Sequence, residues 1–295
     1  MIRDHIPVLH VKNKFKNYVP REAQRVYRRF SPFGLRLYLE ALRHRNTFEK
    51  VGAFCFFVGY GRSGHSLLGQ IINAHRNALI SHEADAVRYL SFGYSWSQVC
   101  AIILRRSRKF KKKDHRWSGY KYQISGLSQG DYSDLQIIGD KKGGGTTDLL
   151  AQRPETFDEL RSLDLPLRVI HHVRNPYDNI SSITRREDRS LDNAIEYYFG
   201  RVSNVQNHLN KIRGIDGADV LETHHENLVR SKHDTLRRVI EFLSLPEYDD
   251  YYEKCAESIF DSENKSRNRV EWTQSAKQEV HSRASNYDFL SGYDY

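Results

Sequence analysis

Short runs rich in apolar residues alternate along this 295-residue chain with stretches whose apolar residues recur at helical spacing. Ala53 to Val58 is continuously apolar and ends in glycines. In the following Ser66 to Ala74, Leu67, Leu68, Ile71 and Ile72 share one helix face. That succession predicts a strand, a glycine-rich turn and a helix. The alternation recurs: Ala78 to Ser81 precedes Ala84 to Leu90, Leu135 to Gly139 precedes Thr146 to Ala151, Leu167 to Val173 precedes Tyr177 to Ile183, and Asp219 to Glu222 precedes the amphipathic His233 to Leu245. Strands alternating with helices imply an α/β fold, a parallel sheet covered on both faces, whose ligand crevice lies at the carboxyl ends of the strands. Functional side chains are expected just after each strand. Ahead of the first strand, Arg21 to Arg29 and Leu35 to Leu42 carry weaker helical spacing with a Ser31-Pro32 break. Residues 1–50 are thus expected to be a basic helical extension, and residues 51–295 the main domain.

Composition narrows the class. A chain that is 39% hydrophobic and 12% aromatic is too apolar to be disordered, and 18 glycines with 7 prolines exclude a collagen-like architecture. The net charge of +9 is unevenly spread: residues 1–50 hold 12 basic and 4 acidic residues, residues 101–116 hold 8 and 1, and the remainder is net acidic. Cys55, Cys100 and Cys255 are far apart and form no CxxC pair, so neither a disulfide framework nor a zinc site is expected. The longest apolar run, Ala53 to Val58, is far short of the roughly 20 residues of a membrane span. With a charged N-terminus in place of a signal peptide, a cytoplasmic location is expected.

The turn after the first strand, Gly59-Tyr-Gly61-Arg62-Ser63-Gly64-His65-Ser66, has the spacing of a phosphate-binding P-loop, with His65 where a nucleotide triphosphatase has lysine. Glycines let successive N–H groups point inward, and the next helix adds its positive end, so the turn suits phosphate oxygens. Ser63 and Ser66 add hydroxyls and Arg62 a planar charged fork. A second anchor, Val169 to Ser182, is an apolar strand ending in Arg174, with Pro176 opening a helix on which Ser182 lies about two turns further on.

Arg62-Ser-Gly-His-Ser-Leu-Leu, followed by Asn73-Ala-His75 and Glu83, resembles the sulfotransferases that use 3′-phosphoadenosine 5′-phosphosulfate (PAPS), in flavour nearest the tyrosylprotein and carbohydrate branch. His65 replaces the family's usual threonine and Arg76 its usual proline. Arg174, Pro176, Asp178 and Ser182 match the family's 3′-phosphate signature. The resemblance extends over roughly Phe54 to Tyr293 and implies a three-layer, P-loop-type sulfotransferase fold. It implies that Gly61, Arg62, Ser63, Gly64, His65 and Ser66 cradle the cofactor's 5′ side and that Arg174 and Ser182 hold its 3′-phosphate. Ser266 and Arg267, in Asn264 to Arg267, resemble the nucleotide-capping loop. Glu83 takes the general-base position, with His82 beside it as the second candidate. Lys141 matches the lysine that approaches the transferring sulfate, although glycine follows where the family has proline, so Lys142 stays open. The implied reaction moves the sulfuryl group from PAPS to a hydroxyl or amine of a carbohydrate or small metabolite, releasing 3′-phosphoadenosine 5′-phosphate (PAP). Arg62, Lys141 and Arg174 would make a metal unnecessary.

Two other classes compete. A P-loop kinase would bind ATP with magnesium, for which the loop lysine and an acidic ligand are missing; a non-enzymatic polyanion-binding module would need only the basic segments. His171-His172 and His224-His225 are not read as metal pairs, because neighbours on a strand point to opposite faces. The run Arg105 to Lys113, with seven basic residues in nine, is either a solvated helix end or a docking surface for an anionic acceptor or membrane. No nucleic-acid motif accompanies it.

Overall fold

A computed structural model describes residues 20–117, 119–127 and 129–295. Residues 1–19 of the expected extension lie outside the described residues. Helices α1 (Arg21–Phe30), α2 (Pro32–Arg43) and α3 (Arg45–Phe48) lead into strand β1 (Ala53–Val58). Helix α4 (His65–Asn73), strand β2 (Ala78–His82) and helices α5 (Ala86–Ser91) and α6 (Trp96–Lys111) follow, then a hairpin of strands β3 (Arg116–Trp117) and β4 (Tyr120–Lys121). Next come β5 (Ile137–Lys141), α7 (Gly143–Gln152), α8 (Thr156–Arg161), β6 (Leu167–Val173), α9 (Pro176–Glu187), α10 (Leu191–Arg213) and β7 (Ala218–His224). The chain closes with α11 (His225–Arg230), α12 (Lys232–Phe242), α13 (Asp249–Glu257), a 3-10 turn at Ser266–Arg269 and α14 (Gln274–Ala284).

The main sheet has the order β2-β5-β1-β6-β7 and every pairing in it is parallel. Because side chains alternate along a strand, β1 feeds two cores: Phe54, Phe56 and Val58 enter one, and Ala53, Cys55 and Phe57 the other. This is the three-layer α/β architecture that the alternation implied. The first core takes in α6, α7, α9 and α10, and the second α4, α12 and α13. Cys55, Cys100 and Cys255 are buried and unbonded. Among the described residues no helix is long and apolar enough to cross a membrane.

Several boundaries move. The third main strand is Ile137–Lys141, two residues later than the apolar run suggested, so Lys141 is its last residue. The helix after it opens at Gly143, three residues ahead of the expected Thr146, so Gly143, Gly144 and Gly145 form its first turn. Glycine disfavours helix by about 1 kcal/mol relative to alanine, but tertiary contacts override that: Leu149 and Leu150 are buried, and the Thr147 hydroxyl lies 2.7 Å from the Gly59 carbonyl. The long helix α10 is not signalled by the pattern along the chain. It buries Ile195, Tyr198, Phe199, Val202, Val205 and Leu209 at helical spacing, but Asn204, Asn207, Asn210, Ser203 and Gly200 break up the apolar pattern. In the N-terminal region Ser31 caps α2, its hydroxyl accepting from Gly34 N at 3.1 Å with Pro32 at the first helical position. Leu37 and Ala41 of α2 are buried in the first core, against α6.

Candidate active site

The turn between β1 and α4 occupies the centre of the sheet's carboxyl edge. Arg62 (φ 69°) and Gly64 (φ 94°) are both left-handed there. At Gly64 a Cβ would stand 2.5 Å from Nδ1 of His225, so both the backbone and the space require glycine. No side chain caps the N-terminus of α4, leaving its first-turn N–H groups facing the turn. The Ser63 side chain is spent on His65, with Oγ 2.8 Å from Nδ1. Burial, with Lys141 and Arg62 adding to it, holds His65 well below the usual imidazole range, so it is neutral at physiological pH. Among the described residues no carboxylate pairs with Arg62, which leaves a cation beside an uncapped helix end.

Glu83 and Lys141 leave adjacent strands, β2 and β5, and meet: Lys141 Nζ donates to Glu83 Oε1 at 3.0 Å. Lys141 is fully buried, while Glu83 is 28% exposed and reaches solvent. Burial lowers the Lys141 pKa and the Glu83 carboxylate opposes that. Glu83 (φ 59°) and Asp85 (φ 62°) share the left-handed strain of Arg62, a cost of about 1 kcal/mol or more per residue that surrounding contacts must offset. Asp140 supplies those contacts. Its buried carboxylate accepts from Ala84 N at 2.7 Å and Ala86 N at 3.0 Å, fixing the turn that presents Glu83. Burial raises the Asp140 pKa to about 6 despite these two donors.

The alternatives to these two residues are otherwise engaged. Lys142 Nζ donates to Asp85 at 2.8 Å, outside the Glu83 pair. His82 stacks on Phe110 at 4.4 Å and meets Trp117 edge-on at 5.1 Å. Burial and the cation of Lys141 push its pKa down to about 2, so His82 is a poor proton acceptor.

Arg174 follows the last residue of β6 and ties three segments together. Its guanidinium donates to the Arg62 carbonyl at 3.2 Å, to the Asn264 carbonyl at 2.5 Å and to Ser266 Oγ at 3.2 Å. The turn at Arg62, the end of β6 and the segment at Asn264–Ser266 are thereby brought to one place. Asp178, on the first turn of α9, accepts from Arg267 N at 2.9 Å and pairs with the Arg267 guanidinium at 3.3 Å. Arg267 also donates to the Asp294 carbonyl at 2.8 Å, so in this structure it closes the C-terminal segment over α9. Ser182 is half-buried in the second turn of α9; its neighbour Ser181 is the one engaged, accepting from Trp272 Nε1 at 3.0 Å.

Sequence reasoning missed four participants. Asp140 is legible only as the neighbour of Lys141. His225 lies over Gly64, its Nδ1 buried and without a partner among the described residues, and burial beside Arg174 pushes its pKa to about 4. Tyr122 reaches Ser66 with its hydroxyl and borders Arg62. Tyr120 accepts from the Arg186 guanidinium at 2.8 Å, which ties β4 to the end of α9. His171 and His172 split as expected, His171 towards Tyr60 and Phe289 and His172 towards His225, whereas His224 ends β7 beside Tyr293 and His225 is the first residue of α11 rather than a strand neighbour.

A strand, a glycine turn and an uncapped helix at the head of a parallel sheet define a P-loop-type α/β protein. Sequence comparison narrows the class: the profile described as "Sulfotransferase family" matches residues 55–250, well over half of the chain. The chain belongs to the sulfotransferase family, which supports a sulfotransferase activity. No curated protein matches it in sequence. Solved structures similar to it include the sulfotransferase STF9 from Mycobacterium avium, at 11% identity over 92% of this chain and 88% of that one, with a TM-score of 0.49. Mouse sulfotransferase SULT7A1, complexed with PAP, is 13% identical over 84% and 88%, with a TM-score of 0.42. The sulfotransferase domain of the Synechococcus PCC 7002 olefin synthase is 17% identical over 75% and 81%, with a TM-score of 0.43.

Proposed function

We propose that this protein transfers the sulfuryl group of PAPS to a hydroxyl or amine of a carbohydrate or small metabolite. In this reaction Glu83 takes the acceptor proton as the new bond to sulfur forms. The bridging S–O bond breaks, and its electron pair leaves on the 5′-phosphate of PAP. Lys141 and Arg62 neutralise charge on the transferring and leaving groups. The open N–H groups of α4, with the Ser66 hydroxyl beside them, cradle the 5′ side, and Arg174 with Ser182 and Ser266 recognises the 3′-phosphate.

The observation that carries this proposal is the Glu83–Lys141 pair: a partly exposed carboxylate and a fully buried cation, 3.0 Å apart, beside an uncapped helix end. Sulfuryl transfer needs that combination, a base for the acceptor and a cation for the leaving charge. A kinase reading gains nothing from the turn, since neutral His65 brings no charge to a β/γ-phosphate.

Calorimetric titration tests the assignment. PAP should bind and, at a hundred times its dissociation constant, stabilise the fold by about 2.7 kcal/mol. Arg174→Ala should weaken PAP by about 10- to 100-fold, the loss of a charge-assisted contact, and AMP, which lacks the 3′-phosphate, much less. Because Arg174 also holds the Asn264–Ser266 segment, the ratio of the two losses is the readout. Equal losses overturn the 3′-phosphate role; stabilisation by ATP with magnesium and none by PAP overturns the sulfotransferase assignment in favour of a kinase.

A further inference from the structure

The N-terminal helices carry their apolar residues on the wrong side for an ordinary surface helix. Along α2, Leu37 and Ala41 face the core, but Leu35, Tyr38, Leu39 and Leu42 form a second stripe that is 44–55% exposed. Their spacing is that of one continuous helix face. Helix α1 goes further. None of its residues is buried, and Val26, Tyr27 and Phe30 are 57–63% exposed. What holds α1 down is its arginines: Arg25 pairs with Glu159, Arg28 donates to the Phe92 carbonyl at 3.4 Å and Arg29 to the Gly93 carbonyl at 3.0 Å. Charges point inward and apolar side chains outward. Val26 and Phe30 also border an open groove of about 500 Å³, whose far wall includes Tyr94, Trp96, Leu163 and Leu165.

Exposed cations accompany this surface. Of the eight lysines and arginines in residues 20–50, Arg21, Arg25 and Arg45 pair with carboxylates and Arg28 and Arg29 turn to backbone carbonyls, while Arg36, Arg43 and Lys50 are exposed with no ion pair among the described residues. Helix α2 packs against α6, where Arg105 and Arg108 consume the Glu40 carboxylate at 3.7 and 3.2 Å. The basic run continues to Lys112 and Lys113, both exposed. An outward apolar stripe with aromatic residues, accompanied by the exposed cations of Arg36, Arg43, Lys112 and Lys113, is what an anionic lipid interface accepts: side chains enter the headgroup boundary while the cations meet the surface charge. A second copy meeting through the same face would set the two basic rims against each other, and a soluble polyanion would leave the stripe in water.

We propose that the outward face of α1 and α2, together with the basic end of α6, docks this protein on an anionic lipid bilayer. The same α6 carries Phe110 onto His82, next to Glu83, so one helix links the docking surface to the acceptor side of the crevice. The docking itself does not depend on which group the enzyme transfers.

Co-sedimentation of the full chain with vesicles of phosphatidylcholine, with and without phosphatidylserine, tests this. The protein should sediment with the phosphatidylserine vesicles, and less so as salt rises. Leu35→Ser with Leu39→Ser should weaken that binding by about tenfold or more, from lost apolar burial. Lys112→Gln and Lys113→Gln should each weaken it about fivefold, the equivalent of about 1 kcal/mol per cation near the surface. All four positions are exposed and lie outside the crevice, so far-UV circular dichroism and PAP titration should be unchanged; a variant that fails those controls is replaced by Leu42→Ser. Absence of phosphatidylserine-dependent sedimentation overturns the proposal, as does binding that the leucine variants leave intact. Self-association in lipid-free solution that the leucine variants abolish overturns it in favour of a second copy.

Discussion

Gly69 should be a sensitive position although it lies inside α4 and touches no substrate in the proposed reaction. The buried stem of Lys141 crosses the helix there: a Cβ on residue 69 would stand 2.6 Å from Lys141 Cγ and 2.9 Å from its Cβ. Carbon atoms pack best at about 3.5–4.0 Å, so Gly69→Ala requires a shift of about 1 Å. The Lys141 Cβ has little room to yield, because Lys141 is in register with His82 in the sheet. Either α4 retreats or the lysine changes rotamer. On stability, two effects oppose: alanine gains about 1 kcal/mol of helix propensity, and overpacking costs about 1–3 kcal/mol, for a net loss of about 0–2 kcal/mol. Catalysis should suffer more, since the Nζ that meets Glu83 at 3.0 Å moves with its stem, and a 1 Å misplacement can cost about 100-fold in rate. Thermal unfolding and a sulfuryl-transfer assay with PAPS read the two effects separately. A variant that melts higher than the parent and turns over within twofold of it would refute the packing argument.

Glu83→Gln keeps an acceptor for Lys141 while removing the base; turnover should fall about 10²- to 10⁴-fold with PAP affinity retained, and unchanged turnover would move the base elsewhere. His82 is neutral in the folded protein down to about pH 2, whereas the unfolded chain takes up a proton near pH 6.5. Its depressed pKa therefore costs stability as the pH falls below about 6.5, by about 1.4 kcal/mol per pH unit at full slope. His82→Phe, which preserves stacking on Phe110, should remove that term, so that between pH 7 and pH 5 the parent loses about 2 kcal/mol more than the variant in urea unfolding; equal losses would contradict it.

Much of this architecture could be read before any coordinate. The β1 run is continuously apolar because a central parallel strand is buried on both faces, and Ala53–Val58 and Leu167–Val173 match the expected strands to the residue. Glycine spacing marked the turn at Gly59–Ser66 because a left-handed residue such as Gly64 admits little else. Less local features were harder. The glycines Gly143 to Gly145 lie outside the expected Thr146 to Ala151 helix because propensity is a local quantity, whereas the helix they open is held by contacts with the Gly59 segment, far away in the chain.

What the sequence determined by itself is the succession of the main-sheet strands, the glycine turn after the first of them, and the family to which the chain belongs. Each is written in neighbouring residues, where backbone geometry and hydrophobic period act directly. Tertiary structure alone decided which of Lys141 and Lys142 meets Glu83, that Asp140 braces the turn presenting it, and that the His82 ring is withdrawn among aromatic side chains. It also decided which way the excess positive charge of the N-terminal region and of α6 faces. Those outcomes depend on burial and on distances between segments far apart in the chain, and no local pattern encodes either.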